Sequence, residues 1–168
     1  MPIAQRTLRA AAASPRTRVA KSLNEARARS LRTAFLCHSS KDNVLAKGLV
    51  SMLQEADWDV YVDYEDAALP EKPDRTTADR IQDKIKSTDF FLFLATENSV
   101  VSRWCPWEIG FADGAKPRTS IWIVSTEENG HVYGNEYLDL YRRVDPSVDG
   151  DLLVVEPRQT QGRRLRVE

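Results

Sequence analysis

The chain has 168 residues, 42% hydrophobic and 29% charged, with a formal net charge of −1. That length gives room for one domain of the common size with a sizeable core, and the composition excludes disorder over its bulk. No stretch approaches the ~18 apolar residues of a membrane-spanning helix, and two cysteines and two histidines make neither a disulfide framework nor a zinc spacing, so a reduced, cytosolic setting without membrane contact fits.

Charge is unevenly spread. Residues 1–32 carry eight basic side chains against one acid, Glu25, and residues 157–168 carry Arg158, Arg163, Arg164 and Arg166 against Glu168. The chain divides accordingly into a basic helical extension over 1–32, an acidic domain over 33–156 and a basic tail over 157–168. Neither arm holds an aromatic residue on which a base could stack, so nucleic acid is not the expected partner. Docking of the arm on the acidic body, or on a second copy, is the expectation. Residues 4–29, rich in Ala and Arg with Pro15 between, predict one or two short helices that bury little.

Residues 33–38 form an apolar run that predicts a buried strand, feeding the polar stretch 39–42. Over 43–56, Val44, Leu45, Leu49, Met52 and Leu53 recur at helical spacing, with Asp42 or Asn43 placed to cap the first turn. Residues 58–62 read as a second strand, and 63–76, with Pro70 and Pro73, as a long loop expected to move. Ile81 and Ile85 mark a short helix over 77–86, and the nearly all-apolar 89–95 predicts a central strand buried on both faces. A loop over 96–103, a helix over 104–114, a strand over 120–125, a short helix over 137–142 and a last, edge strand over 152–155 complete the series.

Strand and helix alternate throughout, which predicts an α/β fold. Its form is a flavodoxin-like, doubly wound, mostly parallel five-stranded sheet of order 2-1-3-4-5, with helices on both faces. In that order the first and third strands are neighbours. The crevice between the loops leaving them, residues 39–42 and 96–107, is where a ligand belongs.

The sequence has no glycine-rich phosphate fingerprint, Walker loop, nucleophile elbow or paired-histidine metal motif. At the predicted crevice stand His38, Ser39, Ser40, Lys41 and Asp42 on one side, and Ser102, Trp104, Trp107 and Glu108 on the other. Pro106 suits the first turn of a helix, which puts Glu108 near a helix N-terminus whose dipole favours the ionised form. A charged carboxylate there suits an oxocarbenium-like centre or ribose hydroxyls better than proton donation. It also suits the plainer task of satisfying free N–H groups at the helix start, and local physics alone favours that task.

Phe35-Leu36-Cys37-His38-Ser39-Ser40-Lys41-Asp42 resembles the first signature of TIR (Toll/interleukin-1 receptor) domains. Ser102-Arg103-Trp104-Cys105-Pro106-Trp107-Glu108 is similar to their Ser-x-Trp-Cys-x-x-Glu segment. Between them, Val60-Tyr61-Val62-Asp63 resembles the strand before the family's variable second loop, and the resemblance covers about residues 33–140. It implies cleavage of the nicotinamide–ribose bond of NAD+, with Glu108 at the position of the required glutamate and ADP-ribose, a cyclic isomer or a conjugate as product. NAD+ would be the substrate, with no separate cofactor and no metal. His38, with Ser39 and Ser40, would line the nucleotide pocket, and Trp104 would brace the catalytic helix.

Some roles stay open at this level. Trp104 and Trp107 serve core packing or ligand stacking, and His38 is a hydrogen-bonded strand-end residue or a proton shuttle. Asp42 resembles a family position that supports the first loop and also reads as a helix cap, the reading local physics favours, and Cys37 and Cys105 read as small packed thiols rather than a switch. Two departures stand out: Cys37 occupies a position where many members have serine, and the Pro70/Pro73 loop lacks the frequent glycines. The resemblance is strongest to standalone bacterial TIR proteins of antiphage defence, which implies self-association and a separate effector or sensor as partner. The competing readings are a non-enzymatic TIR adaptor and a nucleoside deoxyribosyltransferase-like enzyme. An acid at position 108 beside a polar first loop separates the enzyme from the adaptor.

Overall fold

The computed structural model describes residues 1–13, 23–56, 60–63, 74–137 and 139–165. β1 (Ile3–Ala4) runs into α1 (Gln5–Ala11), and α2 (Leu23–Ala28) precedes β2 (Arg32–Cys37). A 3-10 turn (Ser40–Asp42) opens α3 (Asn43–Glu55), followed by β3 (Val60–Asp63), α4 (Arg75–Ser87) and β4 (Phe90–Ala95). Next come α5 (Glu97–Val100), α6 (Cys105–Ala115), β5 (Ile121–Glu128), β6 (His131–Tyr133) and a 3-10 turn (Asn135–Tyr137). The chain closes with β7 (Arg142–Pro146), β8 (Leu152–Val155) and β9 (Gly162–Arg164). The expected loop at 63–76 falls largely outside the described residues, Pro70 and Pro73 with it, as does Trp58 of the expected second strand.

The strands form one sheet of order β3-β2-β4-β5-β7-β8-β9, with β1 and β6 each paired to the far end of β5. β3, β2, β4, β5 and β7 are mutually parallel. The flavodoxin-like order thus holds, and β2 and β4 are neighbours with Cys37 opposite Phe93. Alternation along each strand builds two cores. Leu36, Leu92, Leu94 and Val124 face Leu45, Leu49 and Leu53 of α3, while Phe35, Cys37, Phe91, Phe93 and Ile123 face Ile81 and Ile85 of α4 and Ile109 and Ala112 of α6. The helix that carries Glu108 therefore packs on the Cys37 face of the sheet.

Three expectations are corrected. The fifth parallel strand is β7, not residues 152–155, and the short helix expected over 137–142 is instead the 3-10 turn and the approach to β7. β7 escapes the apolar pattern because its charges are neutralised locally: Arg142 pairs with Glu156 at 2.7 Å and Arg143 with Asp145 at 3.0 Å. β8 is not an edge, since it lies antiparallel between β7 and β9. Gly162 permits that pairing, because a Cβ there would stand 2.7 Å from Val155 Cγ2 and 2.9 Å from the Val154 carbonyl oxygen.

The third correction concerns the N-terminal segment, which buries more than its composition suggests. Ile3 and Leu8 belong to the α3-side core, and Ile3 pairs in parallel register with Thr126. The Leu8 backbone comes close to α3 at Gly48, where a Cβ would stand 1.8 Å from the Leu8 carbonyl oxygen. The basic side chains then settle on the acidic body, Arg9 on Glu128 at 3.0 Å and Arg27 on the Ser87 carbonyl at 2.7 Å.

Asp74 caps α4, Oδ1 accepting from the Thr77 N–H at 2.9 Å and Oδ2 from the Thr77 hydroxyl at 2.9 Å. These bonds, the backbone one foremost, hold its carboxyl below the usual aspartate range. A depressed folded-state pKa gives stabilisation that is complete above the unfolded value and is lost as pH falls through the folded one. The protection factor of the Thr77 amide, its exchange corrected for the intrinsic pH dependence, is therefore expected to fall on acidification ahead of those of the sheet core, and in Asp74→Ala to be low at every pH.

Candidate functional site

The carboxyl ends of β2 and β4 diverge into the two loops that frame the crevice. Asp42 joins them: buried, it accepts from Thr96 Oγ1 at 2.5 Å and from Asn98 Nδ2 at 2.8 Å. Its expected role as a helix cap is corrected, because its side chain makes no cap bond to α3 and reaches across the sheet instead. Thr96 in turn forms a capping box with Ser99 at the start of α5. Asp42→Ala strands these donors in a mostly dry site, and a loss of about 1–3 kcal/mol in denaturant-measured stability is expected. Asp42→Asn, which can still accept one bond, should lose less.

Ser102 opens α6. Its Oγ accepts from the backbone N–H groups of Trp104 at 3.1 Å and Cys105 at 3.3 Å, and Pro106 follows in the first turn. The helix start thus has an acceptor of its own. The Glu108 N–H closes the first turn on the Trp104 carbonyl at 2.8 Å, and the Glu108 side chain turns inward, the residue being only 3% exposed. Cys37, at the end of β2, donates its thiol to the Cys105 carbonyl across 3.9 Å, and burial, foremost, with the charge of Glu108 among the lesser causes, pushes that thiol up. A carboxylate in the position of Glu108 sits in a low-dielectric site at the positive end of a helix, where its field on a neighbouring cation is strong.

Trp104 lies four residues before Glu108 on the same helical face, and its ring meets Trp107 edge-on at 5.6 Å. Trp107, 37% exposed, stacks on Phe111 at 6.1 Å. Both tryptophans line a cleft of about 440 Å³ between α4 and the start of α6, with Asp74, Asp79, Gln82 and Arg103 on its walls. Trp104 is thus core and cleft wall at once. Aromatic faces with a cation beside them are the surface that a nucleotide uses for stacking and phosphate contact.

The other expected residues lie across the crevice. His38 turns back on its own loop, Nδ1 3.0 Å from the Leu36 carbonyl and Nε2 3.0 Å from Asn43 Oδ1. Ser39 Oγ accepts from the Lys41 N–H at 3.4 Å, and Ser40 is exposed. Trp104 and Trp107 thus share one cleft, whose walls include neither Glu108 nor His38, Ser39 or Ser40. Among the described residues, no group of three or more His, Cys, Asp or Glu side chains is arranged to hold a metal ion.

Two residues stand here that sequence reasoning does not assign to the site. Cys37 donates its thiol to the Cys105 carbonyl at 3.9 Å, and Tyr137 stands with its ring edge-on to Phe93 at 5.2 Å. Burial foremost, then the nearby Glu136, raises the Tyr137 hydroxyl above the usual tyrosine range. Tyr137 arrives on the turn after β6, held down by Gly134, whose φ is +91° and whose place a Cβ would contest at 2.6 Å from Ala95 Cβ. Nothing in the local sequence signals that approach.

The fold is a doubly wound sheet with its crevice at the carboxyl ends of β2 and β4, the place where such folds hold their ligands. The TIR domain family model matches residues 34–152, well over half of the chain. The chain belongs to the TIR domain family. A curated relative, the probable 3' cyclic ADP-D-ribose synthase ThsB' of Bacillus cereus (strain MSX-D12), is 36% identical over 110 residues, covering 64% of this chain. The match spans 57% of that relative's length.

Proposed function

We propose that the chain cleaves the nicotinamide–ribose bond of NAD+ and releases ADP-ribose or a cyclic or conjugated form of it, as a signal in bacterial antiphage defence. The observation that carries this reading is the buried Glu108 carboxylate at the first turn of α6, beside a tryptophan-lined cleft. The name of the Bacillus relative, a probable 3' cyclic ADP-D-ribose synthase, supports it.

In this reading the glycosidic C–N bond breaks with its electron pair going to nicotinamide, which leaves neutral. The oxocarbenium ribose left behind is stabilised by Glu108, whose charge needs no reorganisation at that moment. Water, losing a proton, then gives ADP-ribose, and a hydroxyl of the same nucleotide gives a cyclic product. Trp104 and Trp107 would hold the base and Arg103 the phosphates, with His38, Ser39 and Ser40 bordering the nucleotide from β2. Because Glu108 is almost closed to solvent, substrate contact requires a neighbouring side chain to shift. This fits an enzyme switched on by self-association through TIR–TIR contacts, with a separate effector or sensor reading its product.

The test is incubation of the purified protein with NAD+, alone, under crowding and with infected-cell extract, followed by chromatography of the products. Nicotinamide release with ADP-ribose or an isomer is the expected result. Unchanged NAD+ in every condition would overturn the reading.

A further inference from the structure

α4 and α6 face each other across the cleft with matching spacing. Arg75, Ala78, Asp79 and Gln82 recur at helical spacing on α4, and Trp104 and Trp107 stand three apart at the start of α6, so each set forms one strip of its helix. One turn beyond Gln82 and Trp107, Lys86 sits over the Phe111 ring at 5.5 Å and Phe111 stacks on Trp107, which closes that end. The walls differ in what they leave available. Asp74 is spent on Thr77 as the cap of α4, and Asp79 on Arg75 at 3.0 Å. The side chains of Gln82, half-buried, and Arg103, exposed, make no hydrogen bond or ion pair among the described residues. A half-buried amide with donor and acceptor both unspent, beside a tryptophan ring, suits a flat heterocycle that presents an acceptor and a donor side by side. Adenine does so with N7 and its exocyclic amino group, and a glutamine amide pairs with both at once.

We propose that this cleft is an adenine subsite and that Gln82 is the residue that reads the base, with Trp107 stacked on the ring and Arg103 at the phosphate. That the adenine belongs to NAD+ rests on the NAD+-cleaving reading; the site for an adenine nucleotide does not. Stacking alone accepts any base, because every base has a π-face. The amide supplies the selection. Hypoxanthine carries a carbonyl oxygen in place of the amino group and so offers two acceptors, and the glutamine oxygen then faces one of them without a proton between. Gln82 therefore selects adenine against hypoxanthine, and an all-donor side chain in its place selects the reverse.

The test titrates the full chain with AMP and with inosine monophosphate (IMP), following the quenching of tryptophan fluorescence, in the wild type, Gln82→Leu, Gln82→Lys and Trp107→Phe. AMP is expected to bind the wild type about 5–150-fold more tightly than IMP, the span of one bidentate base contact. Gln82→Leu should bring the two affinities together. Gln82→Lys, whose ammonium donates to N7 and the carbonyl oxygen of hypoxanthine alike, should reverse their order. Trp107→Phe should remove most of the quenching. Equal affinities in the wild type, no quenching by either nucleotide, a preference for AMP that survives in Gln82→Leu, or quenching unchanged in Trp107→Phe would each overturn the proposal. The ratio of kcat/KM for NAD+ to that for its hypoxanthine analogue should follow the AMP/IMP order across the Gln82 variants, and a constant ratio would overturn the assignment of this adenine to NAD+. A Gln82-dependent preference for AMP in a protein that leaves NAD+ untouched would strike the NAD+ reading and leave the adenine site standing.

Discussion

Glu108→Gln is expected to lower the rate of nicotinamide release by about 10²–10³-fold, with the melting temperature close to that of the wild type. Glutamine keeps the shape and volume of the side chain, so packing around α6 is preserved. What it lacks is the charge. In a site this closed to water the charge is the term that matters, because solvent screening of an ion–ion interaction is weak there and an amide dipole is a poor substitute. The fall should appear in kcat and in kcat/KM together, as expected when an interaction exists only in the transition state. A rise in KM with kcat unchanged would make Glu108 a binding residue, and equal turnover would remove it from the mechanism.

The residues that made this prediction possible were legible in unequal measure. β4 announces itself, since six consecutive apolar residues between polar breaks suit a strand buried on both faces, and its place beside β2 follows from right-handed crossovers. Glu108 was legible as a residue of a helix start, and the switch point lent it a use. Its inward turn was not, because the first N–H groups of α6 are taken by Ser102 Oγ and leave the carboxylate unneeded there. Asp42 was placed correctly in the chain and wrongly in space: a carboxylate before a helix satisfies the capping pattern, but partners 54 and 56 residues away claimed it. β7 and β9 carry charge where a strand pattern requires apolar residues; their place comes from backbone pairing with β8, and their arginines pair with Glu156, Asp145 and Asp151. Short-range pattern thus reads the elements whose burial is their own, and misses those that depend on a distant partner.

The N-terminal segment shows the same dependence and gives the largest expected effect on stability. A Cβ at Gly48 would fall 1.8 Å from the Leu8 carbonyl oxygen and 2.5 Å from its carbonyl carbon, both backbone atoms that no rotamer change can move. α1 is therefore seated on α3 through a glycine-wide notch, with the Leu8 side chain 0% exposed beneath it. Leu8→Ala is expected to cost about 2–5 kcal/mol in urea unfolding, since it empties a fully buried site. Gly48→Ala should cost about 1–3 kcal/mol by forcing α1 outward. The double variant should lose less than the sum, because either change alone unseats the same helix. The effect should also reach the crevice. Gln5 Nε2 donates to Thr126 Oγ1 at 3.1 Å, and that hydroxyl donates to the Ala95 carbonyl at 2.5 Å, where β4 gives way to the loop carrying Thr96 and Asn98. Loosening α1 therefore releases one support of the loop that Asp42 holds from the other side. NAD+ turnover per folded molecule is expected to fall in Leu8→Ala, and turnover unchanged after correction for the folded fraction would confine the segment to stability.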